Sequence, residues 1–170
     1  VAIITRSMVF RLGRCFSKVG RFIDAQAVFQ KYLTFDGKNS DVYGELGLLA
    51  IKQGKVLDAE QLLRKSIGLH PGNILARHNL SLLLLQLGKK EEGTTLLQET
   101  EKSFPNQFVY NTLGNLSAKR KEYTAACGYF EKGIARSGQV SEITKSLYIN
   151  MIQTFIILKD RKSAQECLRR

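Results

Sequence analysis

Residues Ser40 to Pro71 read SDVYGELGLLAIKQGKVLDAEQLLRKSIGLHP, and their spacing decides the fold. Apolar residues recur every three or four positions, the period of a helix that buries one face, and not every second position as in a strand. Ser40 is an N-cap type of residue and Pro71 cannot continue a helix. The stretch therefore holds two antiparallel helices, the first starting near Ser40 and the second ending before Pro71, with a turn at Gly54-Lys55. The same landmarks return along the chain. Gly13 and Gly47, Ala25 and Ala59, and Pro71 and Pro105 each lie 34 residues apart, the self-similarity of stacked two-helix units.

The order of these landmarks is a large apolar residue, Leu-Gly, an aromatic, a turn glycine, an alanine, a second aromatic and a closing proline. It resembles the tetratricopeptide repeat (TPR) family. The resemblance covers nearly the whole chain and implies an all-α, right-handed superhelix of four complete helix hairpins and a partial fifth. Residues 6–39 match with Leu12-Gly13, Phe16, Gly20, Phe22, Ala25 and Phe29, with Gly37 in the place of the proline. Residues 40–73 are the opening stretch. Residues 74–107 keep Leu80, Gly88, Leu97 and Pro105, but Arg77, Ser81 and Gly93 replace the usual apolar residue, glycine and alanine. Residues 107–140 carry Tyr110, Leu113-Gly114, Tyr123, Ala126 and Phe130, one position early. Residues 141–170 form the partial fifth, with Tyr148, Met151, Phe155, Ala164 and Leu168.

Packing physics reaches the same architecture without the resemblance. A glycine inside a helix costs about 1 kcal/mol against alanine, so Gly13, Gly47 and Gly114 at one repeat position need a reason. Close approach of two helices supplies it, with Ala25, Ala59 and Ala126 as the small partners and the aromatics filling wider gaps. An ordinary helical bundle has no need of a fixed period.

With 170 residues and 44% apolar content the chain can bury a core as one domain, and nothing divides it as a linker would. No run of about 18 uncharged apolar residues is present to span a membrane. Cys15, Cys127 and Cys167 fall in different repeats without metal-ligand spacing, so they read as reduced packing residues. Unpaired cysteines fit a reducing compartment, the cytoplasm or an organelle such as the mitochondrion. The net charge of +11 is concentrated at the ends: residues 1–40 hold seven Lys/Arg against two acids, whereas residues 40–73 and 74–107 are balanced. Single-stranded RNA would want exposed aromatics beside the basic residues, yet Phe16, Phe22, Phe29, Tyr123 and Phe130 stand at packing positions, which disfavours nucleic acid as the partner. The acid-free start, with Arg6, Arg11 and Arg14, has the composition of a transit peptide but carries Leu12-Gly13 in register, so it belongs to the repeats.

Nothing in the sequence suggests an enzyme, a metal site or a cofactor. His70 and His78 lack a nucleophile or carboxylate in a recognised arrangement, and no phosphate-binding glycine loop is present. Function is therefore sought on the surface. The resemblance implies that the first helix of every repeat lines a groove. Its inward positions include Phe10, Arg14, Ser17 and Lys18; Gly44, Leu48, Ile51 and Lys52; His78, Leu82, Leu85 and Gln86, with Asn79 beside them; Asn111, Asn115, Ala118 and Lys119; and Ile149, Gln153, Ile156 and Ile157. Leu48, Ile51, Leu82 and Leu85 make an apolar strip of the kind that takes a peptide or an amphipathic helix. The expected function is a protein-interaction scaffold or adaptor within a larger assembly. The alternative is a basic structural subunit of a ribonucleoprotein or organellar complex that contacts RNA or acidic surfaces. TPR proteins that clamp the C-terminal carboxylate of chaperones do so with Lys, Asn and Arg. The corresponding places here are Phe10, Arg14, Glu45, Leu75 and Asn79, and Glu45 would repel a carboxylate. An asparagine ladder is at best partial, since its positions read Arg11, Glu45, Asn79, Thr112 and Asn150.

Two further expectations concern the end of the chain. Gly114 and its counterpart Ile152 lie 38 residues apart, and Ile143, Leu147, Met151, Phe155 and Leu158 keep one stripe across the excess. This predicts an elongated helix from about Ser141 to Leu158. The ends lack polar caps, so self-association or fraying there is expected, and the chain reads as a segment of a longer protein.

Overall fold

A computed structural model describes residues 6–136 and 141–160. The described residues form nine helices and no strand: α1 (Arg6–Lys18), α2 (Phe22–Phe35), α3 (Ser40–Lys52), α4 (Val56–Leu69), α5 (Ile74–Gln86), α6 (Lys90–Ser103), α7 (Gln107–Lys119), α8 (Tyr123–Ala135) and α9 (Glu142–Ile157). By contacts the chain divides into two compact units, residues 1–96 and 97–170, with the division inside α6. The ending of the chain and Cys167 lie outside the described residues.

Each hairpin turns through one left-handed residue. Gly20, Gly54 and Gly88 adopt φ of 81°, 72° and 77°, and the fourth turn uses Lys121 at 64°. Lysine in that region bears a steric cost of roughly 1–2 kcal/mol that glycine avoids. The helices begin under asparagine caps. The Asn39 side chain accepts a hydrogen bond from the Val42 N–H, Asn73 from Ala76, and Asn106 from Phe108 and Val109, each satisfying first-turn donors. Ser40, expected as the cap of α3, is instead its first helical residue. Asn39 takes the cap, and the Ser40 hydroxyl lies 3.0 Å from the Ser66 carbonyl, to which it donates.

The glycines mark where a large side chain of the second helix presses on the first. A Cβ at Gly13 would stand 2.6 Å from the Phe29 ring, and one at Gly47 2.7 Å from Leu63 Cγ; at Gly114 it would collide with Phe130. Phe29 and Phe130 therefore press on the glycines directly, and Leu63 does so in the second hairpin. In the third hairpin the small residue changes sides. Ser81 is fully buried with its hydroxyl donating to the Arg77 carbonyl at 2.8 Å, and Gly93 lies where a Cβ would come within 3.0 Å of Leu85 Cγ and of the Ser81 carbonyl. The two departures from the repeat pattern offset one another.

Unit one packs two clusters. Ala25, Phe29, Tyr32, Val42, Leu46 and Leu49 form one; Ala50, Ala59, Leu63, Ala76, Leu80, Leu83 and Leu84 form the next, and Leu62 touches both. In unit two, Ala126, Cys127, Phe130, Leu147 and Met151 join α8 to α9. Helix α9 runs 16 residues where α1, α3, α5 and α7 run 13, capped by Ser141 at its start and by Leu158 at its end. The extra residues thus continue a helix, as their unbroken apolar stripe requires. Cys127 is buried as expected of a packing residue, whereas Cys15 is exposed.

Candidate partner-binding face

In unit one, α3 lies between α1 and α5, so the first helices of three hairpins form one face. At the position three before the repeat glycine this face reads Phe10, Gly44, His78. Gly44 lines a hollow of about 200 Å³. Phe10 and Arg14 border it from α1, Asp41, Glu45 and Leu48 from α3, Leu75 and Asn79 from α5, and Asn73 from the cap between α4 and α5. A Cβ at Gly44 would meet Ser66 Oγ at 3.4 Å and Asn73 Nδ2 at 3.5 Å, both ordinary contacts. The floor is rigid. Asn73 Nδ2 donates to Ser40 Oγ at 3.0 Å, to Ser66 Oγ at 3.1 Å and to Asp41 Oδ1 at 3.1 Å, while its carbonyl oxygen caps α5.

The electrostatics of the hollow centre on Glu45. Arg14 Nε lies 3.1 Å from Glu45 Oε1, and the Glu45 side chain keeps only 16% of its exposure. Burial pushes its carboxyl above the ordinary range; Arg14 and Lys52 pull against this, Asp41 adds to it, and Lys18 opposes it more weakly. Desolvation therefore outweighs the pairing with Arg14. His78 is pushed down by burial, partly offset by its hydrogen bond with Asn79.

The structure distributes the expected site residues unevenly. Phe10, Arg14, Leu48 and Asn79 meet at the hollow. Phe10 also packs into the core, its ring centroid 5.9 Å from that of Phe29. Leu82 is 36% exposed and Leu75, beside the hollow, 52% exposed. Ile51 is half-buried and packs on the core, while Leu85 is half-buried over Gly93. Lys18 is exposed. Lys52 reaches Ser17 Oγ at 3.3 Å and the Phe22 ring, and Ser17 itself is buried. In unit two, Asn111 Oδ1 accepts from Asn150 Nδ2 at 2.9 Å, Asn115 is half-buried and Lys119 exposed. On α9, Ile149, Ile156 and Ile157 are exposed.

Asp41 and Asn73 were not singled out from the sequence. The signal for Asn73 was present, since Asn39 precedes it by one repeat at the same cap position. All five places compared with the carboxylate clamp, Phe10, Arg14, Glu45, Leu75 and Asn79, border the hollow. Of the aromatics weighed for RNA stacking, Phe29 and Phe130 are fully buried, and Phe16 lies under Arg21.

Residues 50–115 match the tetratricopeptide repeat family model. Over that stretch, less than half of the chain, the sequence is similar to TPR proteins. Its hairpins also superpose on solved TPR-type structures. A chain of the APC/C hetero-tetramer Cut9–Hcn1 aligns over 97% of this one with a TM-score of 0.80 and 17% identity, and this chain spans 32% of that one. TTC0263, a thermophilic TPR protein of Thermus thermophilus, aligns over 96% with a TM-score of 0.72 and 17% identity, covering 88% of its own chain. PilW, a type IV pilus biogenesis factor, aligns over 99% with a TM-score of 0.75 and 14% identity, covering 76% of its own. At such identities the likeness is one of fold. No curated protein matches the chain by sequence. The fold is one that supports protein–protein interaction, and among the described residues no helix is long and apolar enough to cross a membrane.

Proposed function

We propose that the chain is an interaction scaffold that holds a peptide or helix of a protein partner against the face of α1, α3 and α5, as part of a larger assembly. The observation that carries this reading is the hollow at Gly44 bordered by Leu48 and Leu75, with Leu82 exposed on the same α5. Leucines left in water beside a hollow gain about 25 cal/mol for each Å² a partner covers, and a hollow the size of one side chain fixes the register of what docks. The neighbouring assemblies named above suit this role, since Cut9 is itself a subunit of the APC/C hetero-tetramer. RNA docking has less support, because Phe29 and Phe130 are fully buried and the exposed Phe35 and Phe108 do not border the hollow.

Affinity capture with the wild-type chain and with Leu82→Glu, followed by mass spectrometry, tests the reading. Proteins held by the wild type should resist high salt and be lost with Leu82→Glu, because an apolar contact is insensitive to screening and a carboxylate in it is left unpaired. Equal capture by both, or elution of every bound protein by modest salt, would contradict the proposal.

A further inference from the structure

We propose that the hollow at Gly44 receives a lysine or arginine side chain of the partner, so that the recognised segment pairs one basic residue with an apolar one. This rests on the groove reading above and specifies its chemistry. Three observations carry it. The volume, about 200 Å³, suits one side chain, since a cavity of roughly 150 Å³ holds a benzene ring. Its walls are divided: Phe10, Leu48 and Leu75 supply apolar surface, while Asp41 and Glu45 supply two carboxylates beside Arg14, with Lys52 and Lys18 acting on Glu45 from outside the lining. An amphipathic side chain fits such a site, its methylene stem on the apolar wall and its charged head toward the acids. Glu45 and Asp41 also retain capacity. A carboxylate has about four acceptor sites. The contacts made are Arg14 on Glu45 and Asn73 Nδ2 on Asp41. Glu45 is already desolvated at a cost that Arg14, Lys52 and Lys18 together do not fully offset, so a further cation in direct contact would find its carboxylate prepared.

An anionic or purely apolar occupant fits less well. A carboxylate would face two acids, and an aliphatic side chain would strip water from both without replacing it. The acids sit within repeats whose charges balance, so the hollow is a local preference for a cation in a chain that is otherwise basic.

The test is selection of a random-sequence peptide display library on the whole wild-type chain, followed by titration of one enriched synthetic peptide. The expected peptides bind in a Leu82-dependent manner and share a Lys or Arg next to an apolar residue. Replacing that basic residue by norleucine should weaken binding to the wild type about tenfold or more, but binding to Asp41→Asn/Glu45→Gln less than twofold. Leu82-dependent peptides without a basic residue, or an equal norleucine effect on both chains, would overturn this inference and leave the groove reading standing. Failure to enrich any Leu82-dependent peptide would overturn both.

Discussion

Glu45 shows how one residue reports on its surroundings. Its carboxyl is raised by burial against the pull of Arg14 and Lys18 from α1 and Lys52 from α3, with Asp41 adding to the rise and α5 presenting the neutral Leu75 and Asn79. An acid whose folded pKa lies above its ordinary value of 4.5 binds its proton more tightly when folded. It stabilises below the unfolded value, and that contribution is lost as pH rises through the folded pKa. Glu45→Gln should therefore be more stable than the wild type at pH 7, and the advantage should shrink on acidification and vanish below about pH 4.5. Urea denaturation of both chains across this range checks it; a Gln variant that is weaker at pH 7 would mean the Arg14 pair outweighs desolvation. The sequence placed Glu45 on the face but could not reveal its burial, because that depends on Phe10, Leu75 and Asn79 arriving from other repeats.

Between helices, the glycines differ in whether they touch a neighbour. Gly114 and Gly128 belong to one hairpin, yet a Cβ at Gly114 would strike the Phe130 ring, while one at Gly128 would meet nothing within 4 Å. Alanine gains roughly 0.5–1 kcal/mol in helix propensity at either place. At Gly114 overpacking of about 1–3 kcal/mol opposes this. Gly128→Ala should raise Tm and Gly114→Ala lower it, and thermal denaturation showing the same sign for both would refute the packing assigned to Phe130. The helix order, the turn positions and the length of α9 were legible because each follows from spacing. The caps were less so. Ser40 and Asn39 are both good N-caps, and the choice fell to Asn39 because the Ser40 hydroxyl is taken by the Ser66 carbonyl 26 residues away. The third hairpin was the weakest match for a related reason, since Ser81 and Gly93 depart from the pattern singly and make sense only as a pair.

For the molecule as a whole, the repeat pattern pointed to successive helix hairpins, and the described residues form them. The hollow itself was not legible. Its residues Phe10, Asp41, Asn73 and Asn79 come from separate helices and a cap, and their meeting depends on how repeats stack. The net charge of +11 also says little about this face, where acids border the cavity. The central claim is that the first helices turn one side to the core and the other to a partner. It is sharpest at two leucines on α5, Leu80 at 2% exposure in the core and Leu82 at 36% on the surface. Thermal denaturation of Leu80→Glu and Leu82→Glu measures it directly. Leu80→Glu buries an unpaired carboxylate and should lower stability by about 4 kcal/mol or more, whereas Leu82→Glu should stay within roughly 0.5–1 kcal/mol of the wild type. Equal losses of Tm in the two variants would place Leu82 in the core and remove the face on which the proposed function rests.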